Sequence, residues 1–127
     1  MLKREVFMQH MLRMGIDVGS TTVKVVLLDE HDNYLYKKYI RHYANILDTV
    51  YTLLQEAQVG HEDAFVHVCI TGSGGMAMAE KVRIPFVQEV IAETRAVKAS
   101  IQRQTLSSNL VVKMRRLLFR SNWQNTV

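Results

Sequence analysis

Residues 12–29 read "LRMGIDVGSTTVKVVLLD", two β-branched runs separated by Gly-Ser-Thr. Two such runs with a glycine and hydroxyl residues between them predict a pair of strands joined by a tight turn. This is a hairpin and not a strand feeding a helix, so the chain is expected to open on antiparallel pairing. Inside the first run sits a carboxylate. Side chains alternate along a strand, so Ile16 and Val18 share one face and Asp17 takes the other, away from the core. A buried, unpaired carboxylate is costly. Asp17 therefore needs a partner, either a metal ion with its waters or backbone donors of the turn. Gly19 can take positive φ and lets the backbone pass close to a ligand, and the N–H groups of Ser20, Thr21 and Thr22 can then point into a concavity. Their hydroxyls add donors, and Lys24 brings positive charge to a phosphate if the strand twist turns it inward. The competing reading is a turn that Asp and Ser/Thr merely stabilise.

Further along, "DEHDN" predicts a second turn and "YLYKKYIRHY" a third, partly exposed strand. In 44–58, Ile46, Leu47, Val50, Leu53, Leu54 and Ala57 recur at helical spacing, and Gly60 suits the helix end. "AFVHVCIT" then reads as a buried strand, "GSGG" as a loop and "MAMAEKV" as a short helix. Pro85 marks a break before "FVQEVIAETRAVKASIQ", which is helical in pattern. The order βββαβαα is an α/β arrangement. At 127 residues and 48% hydrophobic content, one domain is expected. Residues 1–11, with alternative starts at Met1, Met8, Met11 and Met14, read as an extension of little structure. No run is long and apolar enough to span a bilayer, and "MLKREVFMQH" is too charged for a signal peptide, so a cytoplasmic protein is expected. Cys69 is the single cysteine and reads as core, with no disulfide and no Cys-x-x-Cys metal pair. His10, His31, His42, His61 and His67 show no ligand spacing. Most are expected to be exposed, with His67 a satisfied polar residue on its strand.

A second glycine-rich stretch, "TGSGG" at 71–75, follows the buried strand and opens a helix, where backbone amides favour an anion. Gly72, Ser73, Gly74 and Gly75 are its candidates. It lacks the pattern of a P-loop and the spacing of a dinucleotide fingerprint.

Together the two stretches are specific. "MGIDVGSTTVKVVLLD" resembles the first phosphate hairpin of the actin, sugar-kinase and heat-shock-chaperone ATPase superfamily. "CITGSGGMAMAEKVRIPFVQEVIAETRAV" resembles one branch of it, the ATPase activators of 2-hydroxyacyl-CoA dehydratases and benzoyl-CoA reductases. The resemblance implies a ribonuclease H-like (actin-like) lobe with a mixed βββαβα sheet, its final strand or strands incomplete. It implies ATP and Mg2+ as cofactors. Asp17 would approach magnesium through water, and Gly19, Ser20, Thr21, Thr22, Lys24, Gly72, Ser73, Gly74 and Gly75 would face the nucleotide. It further implies an ATP-driven electron donor, a homodimer bridging one 4Fe-4S cluster that activates a dehydratase or reductase component. The cluster cysteines of that family lie downstream of the matched stretches, and Cys69 is not carried over as a ligand.

Residues 102–127 depart from the family pattern. They hold five Lys or Arg and no acid, whereas residues 1–101 hold 11 Lys or Arg against 12 Asp or Glu. The family pattern asks here for a strand reading like "DVAIELGGEDAKI". For Ser108 to Leu117 the legal codons TCG AAC TTG GTG GTG AAG ATG CGA AGA TTA, read from the third base, give "ELGGEDAKI". The expectation is a partial lobe over 12–101 followed by an atypical basic tail, frameshifted and never selected to fold, in a fragment with little turnover alone. Two other functions stay open: the N-terminal lobe of a sugar-kinase-like enzyme, and a non-catalytic module whose "VVKMRRLLFR" binds nucleic acid or a membrane surface. All the net basicity lies in that tail, and neither a membrane nor nucleic acid is the expected partner.

Overall fold

The structure, a computed structural model, describes residues 11–87 and 110–118. The hairpin forms: β1 (Met11–Val18) and β2 (Thr22–Leu28) pair antiparallel, with Asp17 opposite Lys24 and Val18 opposite Val23. β3 (Tyr34–Arg41) continues the meander on β2. Between them Asp29 closes the second turn, accepting the N–H groups of His31 and Asn33 at 2.8 and 2.9 Å. Those bonds hold its carboxyl below the usual range, Asn33 contributing most.

The helix α1 (Ile46–Ala57) carries the chain across one face of the sheet, burying Val50, Leu53, Leu54 and Ala57 at the expected spacing. Gly60 beyond it is left-handed, with φ 83. The chain re-enters as β4 (Phe65–Thr71), parallel to β1, and passes through the glycine-rich loop into α2 (Gly75–Val82). A crossover from β1 to a parallel neighbour needs an intervening helix, and α1 supplies it.

Strand alternation divides the sheet into two unequal faces. Leu12, Met14, Ile16 and Val18 of β1, Val23, Val25 and Leu27 of β2, and Val66, Val68 and Ile70 of β4 all point to the core side. Met78, Ala79 and Val82 of α2 join them there. Each such side chain contributes about 1.5–3 kcal/mol on burial, so this face carries most of the stability. The opposite face shows Arg13, Gly15, Asp17, Lys24, His67, Cys69 and Thr71 at intermediate or full exposure. The expectation of a core cysteine is thus corrected: Cys69 lies between the buried Val68 and Ile70, and the same alternation that buries them turns it to the open face.

The end of the described chain also differs from expectation. β5 (Leu110–Lys113) pairs antiparallel with β4, followed by the single turn α3 (Met114–Leu117). The sheet order is β3-β2-β1-β4-β5. Met114, Leu117 and Leu118 are core residues. Residues 110–118 of the basic segment therefore cover the free edge of β4 instead of standing off the domain, because their apolar positions match the core face and their cations point out. Arg115 pairs with Asp63, and its N–H reaches the Glu62 carbonyl at 3.1 Å.

Phe86 is not the start of a helix. It bridges to Ile70 in parallel, with the Ile70 N–H donating to Pro85 at 2.9 Å and the Val87 N–H to Ile70 at 2.8 Å. The expected helix from 88 onward lies outside the described residues, as does the extension at 1–10. Among the described residues, no helix is long and apolar enough to cross a membrane.

Candidate phosphate-binding site

The parallel pairing of β1 with β4 sets Asp17 beside Thr71 and so brings the ends of both glycine-containing stretches to one point on the open face. The contact is close. The Gly74 N–H donates to the Val18 carbonyl at 2.8 Å, locking the second loop onto the end of β1. A Cβ on Gly72 would sit 2.3 Å from the Val18 carbonyl oxygen and 2.5 Å from Asp17 Oδ1. Gly72 is also left-handed, with φ 98, so both its conformation and its surroundings require glycine. Gly75 meets a different limit: a Cβ there would come 2.8 Å from Ile70 Cγ2, so glycine lets the start of α2 pack on β4.

Gly19 does not use the left-handed freedom open to a glycine. Its φ is not in the left-handed region, and a Cβ there would make ordinary contacts with Thr22 at 3.4 and 3.5 Å. The turn from 19 to 22 is shaped by hydrogen bonds. The Gly19 N–H donates to the Thr22 carbonyl at 2.8 Å, while the bond expected in a closed turn, from the Thr22 N–H back to Gly19, is not formed. Among the described residues, the N–H groups of Ser20, Thr21 and Ser73 donate to no protein acceptor. Ser20, Thr21 and Ser73 are exposed and Thr22 is half-buried.

Lys24 does turn toward the aspartate. As the cross-strand neighbour of Asp17 it shares that face, and Nζ lies 3.9 Å from Asp17 Oδ2. Its Nζ also stands 5.5 Å above the ring of Tyr39, the cross-strand partner on β3. The lysine is thus held over the sheet between a carboxylate and an aromatic face. Both charged side chains keep solvent access, 35% for Asp17 and 55% for Lys24, so a ligand can reach them.

Two residues that sequence reasoning did not single out belong to this region. Thr71 Oγ1 is buried without a hydrogen-bond partner, next to Asp17 in register. Such an orphan hydroxyl is uncommon and marks a place where a ligand or water completes the bonding. The parity of β4 was the available signal, since Thr71 falls on the open face with His67 and Cys69. The second is His42, expected to be exposed and in fact 5% accessible. Nε2 lies 3.1 Å from the Gly19 carbonyl, and Nδ1 accepts the Ala44 N–H at 3.0 Å. Nothing in "RHYAN" announces this, because the bonds cross from the end of β3 to the β1–β2 turn. The third strand accordingly stops at Arg41 and does not run to Tyr43.

The donor set suits magnesium in one way only. Among the described residues, no three His, Cys, Asp or Glu side chains converge to hold a metal directly. A single carboxylate beside an unpaired hydroxyl and a row of unbonded amides fits a Mg2+ ion that keeps its waters and takes its other ligands from phosphate. An iron–sulfur cluster does not fit: it needs several thiolates, and the chain has Cys69 alone.

No protein-family model matches the chain, and no curated protein matches it. Solved structures similar to it include the activator of the 2-hydroxyisocaproyl-CoA dehydratase from Clostridium difficile with bound ADPNP. The two share 21% identity at a TM-score of 0.46, over 68% of this chain and 32% of that one. The Aquifex aeolicus member of the Ppx/GppA family is similar at 9% identity and a TM-score of 0.43, over 82% of this chain and 51% of that one. This chain therefore spans about a third and about half of those two chains. The first belongs to the kind of activator whose motifs the sequence resembles.

Proposed function

We propose that the open end of β1 and β4 is the phosphate and magnesium side of an ATP site of the actin-like type. The observation that carries this is the meeting of Asp17 with the loop at 71–75, so close at Gly72 that no side chain fits between them. Asp17 would hold a water of the magnesium ion, Lys24 would offset phosphate charge, and the unpartnered Thr71 hydroxyl would accept a hydrogen bond from a water of the same ion. The free amides of Ser20, Thr21 and Ser73 receive phosphate oxygens, as backbone concavities of this kind do. Gly74 and Gly75 act indirectly, by letting the loop lie against β1 and α2 against β4. Magnesium, when bound, supplies charge neutralisation at the phosphates.

The resemblance of the sequence motifs supports a lobe of an activator ATPase, a family in which nucleotide hydrolysis drives electron transfer to a 2-hydroxyacyl-CoA dehydratase or benzoyl-CoA reductase type enzyme and the cluster cysteines lie outside the matched stretches. A homodimer and that enzyme are the proposed partners, and the cytoplasm the proposed location.

Titration calorimetry of the full chain with ATP tests it. Binding heat is expected only when Mg2+ is present, and is expected to vanish in Asp17→Asn. That variant should fold normally, because an ion pair this exposed contributes less than about 1 kcal/mol. Equal heats in the variant, or heats independent of Mg2+, would overturn the assignment.

A further inference from the structure

The bonds around His42 do more than fill a polar gap. The His42 backbone N–H donates to the Thr21 carbonyl at 3.0 Å. Its Nδ1 accepts from the Ala44 N–H, so Nδ1 carries a lone pair and Nε2 carries the proton that reaches the Gly19 carbonyl at 3.1 Å. One residue thus binds two carbonyls of the β1–β2 turn. In a trans peptide the C=O of one residue and the N–H of the next point in opposite directions. Holding the Gly19 carbonyl toward His42 therefore turns the Ser20 N–H away from it. Holding the Thr21 carbonyl does the same for the Thr22 N–H. The Nε2 contact also occupies one lone pair of the Gly19 carbonyl, the group that the Thr22 N–H would meet in a closed turn.

The chain maintains this arrangement against its own backbone preference. Tyr43 and Ala44 are both left-handed, with φ 48 and 65, and neither is glycine. Tyr43 is 81% exposed and gains no burial from the conformation. The Asn45 N–H closes the loop by donating to the His42 carbonyl at 2.7 Å. Consecutive left-handed non-glycine residues persist only where surrounding bonds over-determine them. Here those bonds converge on His42.

We propose that His42 is a positioning residue that sets the peptide planes of the phosphate-binding turn. The proposal rests on the site assignment for its ligand, but its structural half stands apart from it. Glutamine places a donor where Nε2 lies and removes the Nδ1 acceptor, whereas asparagine keeps an acceptor near Nδ1 and removes the Nε2 donor. In His42→Asn the Gly19 carbonyl loses its anchor and the turn loosens, so the Gly19 N–H, which donates to the Thr22 carbonyl, should exchange about tenfold faster while the Ala44 N–H keeps its protection. In His42→Gln, the order should reverse. Mg-ATP affinity should follow Gly19: near wild type in His42→Gln and about tenfold weaker in His42→Asn.

Nitrogen-15 spectra of the wild-type imidazole give a check that needs no variant, with the Nε2-protonated tautomer expected. The Nδ1-protonated tautomer, or Gly19 exchange unchanged in His42→Asn, would overturn the proposal. So would a loosened turn that binds Mg-ATP as tightly as wild type. The predicted exchange pattern in a chain that shows no Mg-ATP binding would instead refute the site assignment and leave His42 as the residue that sets the turn.

Discussion

Gly72 and Asp17 stand so close that a methyl group on the glycine would reach to 2.5 Å from Oδ1 of the aspartate. Because the obstacle includes the Val18 backbone, side-chain motion alone cannot relieve it. Gly72→Ala should therefore cost about 2–5 kcal/mol, the sum of a left-handed alanine and an overpacked contact. Gly19→Ala should stay within about 1 kcal/mol of wild type, since neither its φ nor its space demands glycine. Urea unfolding of both variants checks the contrast, and equal effects would contradict it.

How far the sequence was legible follows from the range of the forces involved. The hairpin, α1, β4 and the two glycine-containing stretches rest on local periodicity and turn chemistry, and each formed within a few residues of expectation. The face taken by Asp17 followed from alternation. Gly72 was a candidate by its place in the second loop, but its close approach to Asp17 was not legible, because it arises from a parallel pairing of strands about fifty residues apart in the chain. His42 was missed because its bonds cross from the end of β3 to the β1–β2 turn, a contact that no local pattern around it encodes. The basic segment was misread because its composition drew more weight than Met114, Leu117 and Leu118, whose apolar spacing fits the edge of an existing core.

That last point is measurable. Leu117 is fully buried, so Leu117→Ala should destabilise the protein by about 2–5 kcal/mol. The exposed Arg116→Ala should change stability by no more than about 0.5 kcal/mol. Chemical denaturation separates the two outcomes. A neutral Leu117→Ala would mean that the segment adds nothing to the core.

Acid should weaken the fold in two stages. Burial holds His67 below its ordinary value of 6.5, and the charge of Arg13, its neighbour on β1, adds to this. With the folded pKa lowered, the unfolded chain takes up the proton first. Stability is therefore full above about pH 6.5 and declines as pH falls below it. The carboxyls of Asp29, Glu56 and Glu62 are lowered as well, chiefly by hydrogen bonds from Asn33, from Tyr36, and from the Glu62 and Gly60 backbone respectively. Their contribution is present above ordinary carboxylate values and is lost only at lower pH. His67→Gln should flatten the upper stage and leave the lower one, as read from denaturation midpoints between about pH 7 and 3. A profile unchanged by that substitution would contradict the assignment.

The central claim, that phosphate and magnesium bind where β1 and β4 end, is tested most directly by amide chemical shifts of the full chain titrated with Mg-ATP to ~10 mM, enough to populate even a millimolar site. Shifts are expected at Ser20, Thr21, Thr22, Lys24 and residues 71–74 that require both Mg2+ and the triphosphate, are absent with adenosine, and disappear in Asp17→Asn. Shifts elsewhere on the protein with none at these positions, or no shifts at all, would contradict it.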